Sequence, residues 1–304
     1  MASVRDATRP DPAAARPGRL PSWLRQSRVA GPGYDRVASL VNGLGLHTVC
    51  DEARCPNRHQ CWNDGVATFL ILGDTCTRAC RFCATATGRP LAPDRGEPGR
   101  VAEAVDSLGL SHVVITSVTR DDLPDGGAGY FAACIRAIRA RRPGTSVEVL
   151  TPDFGGDDRA LAAVLEAGPA VFAHNLECVR RLSPLVRPQA DYERSLGVLS
   201  RAGGLAPAIL RKSGLMLGLG ERDDEVEEAL RDLRAAGVEL VTLGQYLRPS
   251  DSCLPVDRFV RPEEFTAWRE RALAVGFRHV ASSPFTRSSH RAAEAYRSVK
   301  RRSG

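Results

Sequence analysis

The sequence predicts an α/β fold: a partial (β/α)6 TIM-type barrel with N- and C-terminal extensions capping the barrel mouth. Three observations predict it. Short apolar runs alternate with helix-length amphipathic stretches about six times, and repeated strand–helix alternation builds a parallel sheet with right-handed crossovers. A chain of 304 residues holds one such barrel, commonly about 250 residues, plus extensions. The residues suited to chemistry also follow the apolar runs, at the C-terminal strand ends where barrels place their sites.

The elements follow in order. Residues 66–72, 111–116, 146–150, 170–174, 213–217 and 240–243 are rich in Val, Ile, Leu or Phe and short enough for strands buried on both faces. Helices are predicted over 99–108, 130–141, 157–167, 191–202, 223–236 and 262–275; each has a charged face, and several open on Asp or Pro and close at Gly. The predicted organisation is a disordered tail over 1–20, an N-terminal extension over 21–65, the barrel over 66–275 and a C-terminal extension over 276–304.

Composition narrows the function classes. The longest apolar run, 66–72, is far too short to cross a bilayer, so no membrane partner is expected. The net charge is +6, but the basic residues are dispersed and almost all Arg, with Lys212 and Lys300 as the lysines. Dispersed charge of this kind is a solvated surface, and the basic cluster over 297–302 reads as a tail, so no nucleic acid is expected. An odd number of cysteines, nine, in a long chain whose first 20 residues lack an apolar signal core argues against a disulfide framework. A cytoplasmic protein with reduced thiols is expected.

Six of the nine cysteines form two triplets, Cys50-x4-Cys55-x5-Cys61 and Cys76-x3-Cys80-x2-Cys83. Three thiolates on one loop hold three irons of a [4Fe-4S] cluster and leave the fourth iron open to a ligand. In enzymes with a C-x3-C-x2-C loop that ligand is S-adenosylmethionine (SAM), which the reduced cluster cleaves to a 5′-deoxyadenosyl radical. Structural zinc is the alternative; it wants a closed set of four donors, which His47 or His59 beside the first triplet would complete. Plain burial suits the scattered Cys134, Cys178 and Cys253 better than the clustered six.

The second triplet, with the aromatic Phe82 before its last cysteine, resembles the radical SAM signature. Together with the first triplet and Arg287-Ser288-Ser289-His290 near the C-terminus, it makes the chain resemble the lipoyl synthase family, from about Pro21 to Arg291. Segments 120–128, 148–154, 174–177, 186–188, 213–221 and 244–247 also look like family segments.

The resemblance implies a barrel of the radical SAM kind and two [4Fe-4S] clusters. Cys76, Cys80 and Cys83 would hold the radical-generating cluster. Cys50, Cys55, Cys61 and Ser289 would hold an auxiliary cluster, with Arg287 positioning the loop. SAM would meet Phe82, the Asp125-Gly126-Gly127 turn, Asn175, Glu177 and Arg187. Read from the residues alone, 125–127 is equally a plain turn before a helix, and Asn175, Glu177 and Arg187 are equally structural hydrogen-bonding groups. The glycine-rich run 214–220 is either a site of close backbone approach or a weakened strand.

The implied activity is insertion of sulfur at C6 and C8 of a protein-bound octanoyl-lysine. The implied partners are octanoylated lipoyl carrier domains (the 2-oxoacid dehydrogenase acyltransferase subunit and the glycine-cleavage carrier protein), a ferredoxin or flavodoxin-type reductant and an iron–sulfur carrier for cluster repair. Two departures lie beside the serine ligand: His290 stands where the family has Tyr, and Ser283-Pro284 where it has Gly-Pro. The other readings are a radical SAM enzyme using its auxiliary cluster on a different substrate, and a zinc or iron–sulfur protein without catalysis.

Overall fold

The computed structural model describes residues 20–26 and 29–301; the tail predicted over 1–20 falls outside them except for Leu20. Its strands are β1 His47–Thr48, β2 Thr68–Ile71, β3 Thr75–Cys76, β4 Ala86–Thr87, β5 His112–Ser117, β6 Ser146–Leu150, β7 Val171–Ala173, β8 Leu210–Leu217, β9 Leu240–Gln245 and β10 His279–Ser283. One eight-stranded sheet runs in the order β1-β2-β5-β6-β7-β8-β9-β10, with β1 and β10 as its edges. Every pairing from β2 to β10 is parallel, and β1 joins β2 antiparallel.

All six predicted strands are present, as are six helices between and after them: Glu97–Ser107, Ala128–Arg141, Asp158–Glu166, Tyr192–Leu205, Asp223–Ala235 and Pro262–Val275. The sheet gains a seventh parallel strand that the sequence reading left in the C-terminal extension. β10 pairs with β9 from His279↔Leu240 to Ser283↔Gly244. Only Val280 of β10 is buried, so its sequence lacks the apolar run that marks the other strands.

The helices form for local reasons. In Asp223–Ala235 the buried residues Val226, Ala229, Leu230 and Leu233 recur at helical spacing. Acidic residues fill its first turn, where the helix dipole favours them. Asp157 and Asp191 cap the helices Asp158–Glu166 and Tyr192–Leu205 by accepting from the backbone N–H of Arg159 and Arg194. The outer sheet face packs on these helices through Phe69, Ile71, Ile115, Val149, Phe172 and Leu243.

The inner face is partly polar. Lys212 donates to Glu148 at 2.7 Å, and the His112 Nε2 stands 3.5 Å from the other Glu148 oxygen. Burial raises the Glu148 carboxyl, but Lys212 and His112 overcome this and hold it below the usual range. The C-terminal helix Ala292–Lys300 closes the inner face at the strand starts. Ser298 meets His279 at 2.9 Å, the Tyr296 ring lies 5.3 Å from that of His112, and Val299 and Ala295 bury Leu240. Residues 284–291 therefore run from the strand ends back to the strand starts along the inner face. Two glycines make room for this strap: a Cβ on Gly244 would stand 2.1 Å from the Thr286 carbonyl oxygen, and one on Gly214 3.1 Å from Ser288 Oγ.

Candidate active site

Cys76 ends β3, and the loop that follows is returned beside it by β4, where Gly88 donates to the Cys76 carbonyl. The Cys76 sulfur accepts from the backbone N–H of Thr119 at 3.3 Å and of Arg78 at 3.4 Å. Arg81 donates its N–H to Val186 O, and Leu254 donates to Arg81 O. Cys253, unassigned by sequence, donates its thiol to the Cys83 carbonyl at 3.3 Å. Cys134 and Cys178 are buried core residues, and all nine cysteines are free.

Arg78, inside the C-x3-C spacing, anchors this loop. Its guanidinium forks between Asp121 at 2.8 Å and the fully buried Asp153 at 2.7 and 3.0 Å. Asp153 also accepts from Arg194 Nε at 2.8 Å and from the Gly155 N–H. Burial raises the Asp153 carboxyl, and the Arg78 hydrogen bonds and charge overcome it and hold the group far below the usual range. Sequence reasoning missed Arg78, Asp121 and Arg194, since a contact 75 residues apart leaves no periodic signal. The signal available was an arginine between two cysteines of the triplet and an aspartate at a strand end.

The thiols of each triplet are brought together. Burial pushes Cys80 up to about 11, with Arg187 opposing and Cys83 and Cys76 adding to the rise. In the first triplet, Cys50 lies on the short helix Val49–Glu52 and Cys61 on Arg58–Asn63. Burial pushes Cys50 to about 11 and Cys61 to about 12, and each feels Cys55. Clustered, desolvated thiols of this kind ionise only when a cation is supplied, which is the chemistry of a metal or iron–sulfur ligand set. Among the described residues, no three His, Cys, Asp or Glu side chains close around a single ion. The histidines named for zinc have other neighbours: His47 meets Glu52 at 3.3 Å and His59 stacks on Tyr34 at 5.0 Å.

The strap joins the two cysteine sites. Asn57, two residues past Cys55, donates to Phe285 O at 2.7 Å. The Arg287 guanidinium feels the charge of both Cys55 and Glu177, and desolvation lowers its pKa. Ser288 Oγ accepts from Asn175 Nδ2 at 2.6 Å. Sequence reasoning gave Ser288 no role, and the structure ties it to the second site. Ser289, one residue on, is half-buried. His290 lines an inner-face cavity with Lys212 and Thr242, and burial lowers its pKa, leaving a neutral ring near pH 7.

Asn175, Glu177 and Arg187 converge beside Cys80. Asn175 Nδ2 also donates to Glu177 Oε1 at 3.0 Å, and Arg187 donates to the carbonyls of Asn175 and Leu176. Burial raises the Glu177 carboxyl against the pull of Arg187. Glu177 takes a positive φ of 68° while bridging to β8 through Gly214 O and Met216 N. Asn175 Oδ1 and Arg187 Nε are buried without a partner, and such orphaned atoms fit a polar ligand. Phe82 packs half-buried on the core edge. Both Asp125 oxygens cap the next helix, accepting from Gly127 and Gly129, and Gly126 and Gly127 take positive φ. Residues 119–121 meet the cysteine loop.

Comparison with known proteins agrees with this arrangement. Residues 70–233 match the Radical SAM superfamily profile, and residues 9–55 that of the N-terminal domain of lipoyl synthase. The architecture resembles methylornithine synthase (TM-score 0.50, 14% identity, 88% of this chain and 91% of that one) and HydG, a maturase of the [FeFe]-hydrogenase (0.54, 16%, 76% and 55%). Lipoyl synthases are similar over most of their length: 54% identity for Rubrobacter xylanophilus (92% of this chain, 88% of that one) and 56% for Thermus thermophilus (90% and 85%). That of Pyrobaculum calidifontis is 57% identical (91% and 96%). The chain is a radical SAM enzyme, a class that works with a [4Fe-4S] cluster and SAM. Within that class it belongs to the lipoyl synthase family. No helix among the described residues is long and apolar enough to cross a membrane.

Proposed function

We propose that this enzyme inserts two sulfur atoms, at C6 and C8, into an octanoyl chain amide-linked to a lysine of a carrier domain. Cys76, Cys80 and Cys83 would hold a [4Fe-4S] cluster that, together with SAM, would supply the radical chemistry needed to take hydrogen from unactivated C–H bonds. The auxiliary [4Fe-4S] cluster, on Cys50, Cys55, Cys61 and Ser289, is a substrate: its sulfides become the inserted sulfur. A serine oxygen is a harder donor than a thiolate, so the iron it holds is released most easily.

The residues of the chain hold and orient. Arg78, fixed by Asp121 and Asp153, holds the cysteine loop open toward the barrel end. Arg187 Nε, buried and unpartnered, is a donor for the SAM carboxylate, and Asn175 and Glu177 offer an amide and a carboxyl to its ribose hydroxyls. Arg287 places positive charge between the two thiol sets and favours the deprotonated Ser289. The carriers fitting this reading are lipoyl domains of 2-oxoacid dehydrogenases and the glycine-cleavage carrier protein, with a ferredoxin or flavodoxin as reductant and an iron–sulfur carrier rebuilding the consumed cluster.

The observation that carries the reading is the strap itself, tied through Asn57 to the first triplet and through Ser288 to Asn175. Anaerobic turnover of an octanoyl-lysyl peptide, followed by mass spectrometry, tests it. A mono-thiolated then a dithiolated peptide, with 5′-deoxyadenosine alongside, is expected. Deoxyadenosine without thiolated peptide would remove the substrate assignment.

A further inference from the structure

We infer that residues 86–95, directly after the second cysteine triplet, are the docking surface for an acidic carrier domain bearing the octanoyl-lysine. This rests on the sulfur-insertion reading and assigns its partner a place on the surface. β4 pairs with β3, and Gly88 N–H donates to the carbonyl of Cys76 at 3.0 Å, so Arg89 stands one residue beyond the backbone partner of Cys76. Arg89 and Arg95 are exposed, as is Arg81 between the last two cysteines. None of these guanidinium groups makes an ion pair or hydrogen bond to the described residues.

Elsewhere Arg180, Arg181, Arg222 and Arg271 face acidic partners, and the exposed Arg136, Arg159 and Arg269 stand singly on three separate helices. The loop's only acidic residue is spent, since Asp94 accepts from Gly96 N–H and pairs with Arg100 at 2.8 Å. An uncompensated cationic field beside a reaction site steers an anionic partner to it. Between the arginines, Leu91 is 88% exposed, the most exposed large apolar side chain among the described residues. A partner surface with carboxylates around a small apolar spot complements this loop. An amide-linked octanoyl arm is short, so the surface bearing it must rest beside the cysteine loop.

The test compares R89E/R95E and Leu91→Ser with the parent, all cluster-loaded, on an octanoylated lipoyl domain and on a short octanoyl-lysyl peptide. Direct titration of the octanoylated domain supplies a readout that needs no turnover. For R89E/R95E the domain Kd and KM should rise about tenfold at low salt, and the difference should shrink as salt screens the charges. Leu91→Ser should weaken the domain by a few-fold at every salt concentration, as loss of an apolar contact does. Peptide turnover should be unchanged in both. Unchanged domain affinity would overturn the docking surface, and so would equal loss with domain and peptide, which would mean the loop only supports the site. If the parent binds the domain as described but thiolates neither substrate, the docking inference survives and the sulfur-insertion reading fails.

Discussion

Gly244→Ala tests whether the strap, and not only the cysteines, organises sulfur insertion. The added Cβ would lie 2.1 Å from the Thr286 carbonyl oxygen and 3.2 Å from Arg287 Nη1. The obstacle is backbone, so no rotamer relieves it, and restoring an ordinary 3.4 Å contact moves that carbonyl by about 1.3 Å. Overpacking of this kind costs about 1–3 kcal/mol, or a fall in Tm of roughly 2–10 °C. Function should suffer more than stability, because a misplacement of about 1 Å can cost 10²-fold in rate. The assay follows 5′-deoxyadenosine and thiolated peptide together: thiolation should fall about 100-fold while SAM cleavage stays within a few-fold. Gly99→Ala, where a Cβ meets nothing within 4 Å, is the control and should gain up to about 1 kcal/mol. Normal thiolation by Gly244→Ala, or equal loss of both products, would refute the reasoning.

Other substitutions separate the roles around the strap. Ser289→Ala should abolish thiolation and leave SAM cleavage largely intact; equal product yield would remove Ser289 from the auxiliary ligand set. Ser288→Ala loses the bond to Asn175 and should raise the KM for SAM roughly 2–12-fold, a neutral hydrogen bond's worth, which initial-rate assays of deoxyadenosine would show. Asp153→Asn leaves Arg78 and Arg194 facing a neutral amide; breaking such a buried pair costs about 3–5 kcal/mol. Reconstituted iron should then fall from about eight to about four per chain, and unchanged iron content would count against this anchor. Finally, Cys50 and Cys80 sit near 11 in the folded apoprotein against a usual 9.0. Above pH 9 the unfolded chain releases these protons while the folded chain keeps them, so apoprotein stability should fall from pH 9 to 11. Urea midpoints should show that fall without clusters and lose most of it with them.

The strands and helices of the barrel were legible because each follows one clean pattern: an apolar run such as Thr68–Ile71, buried at every position, or the 3.6-residue period of Asp223–Ala235. β10 escaped because His279–Ser283 has one buried residue and is held by its pairing with β9. The two cysteine triplets were legible because each lies within one short stretch of chain. The network that fixes those loops was not, since Arg78, Asp153 and Arg194 meet only after folding. Gly214 looked like a strand weakness or a ligand approach point and Gly244 carried only a family likeness; the function of both emerged with the strap against them. The serine pair was read for its second member, while Ser288 gains its partner 113 residues away.

The most direct measurement is a single anaerobic turnover of enzyme reconstituted with 34S-sulfide and given SAM, dithionite and octanoyl-lysyl peptide. The account predicts a mono-thiolated and then a dithiolated peptide carrying 34S at both positions, loss of iron from the auxiliary site and retention of the Cys76, Cys80 and Cys83 cluster. Thiolated peptide with unlabelled sulfur, or deoxyadenosine with no thiolated peptide, would contradict it.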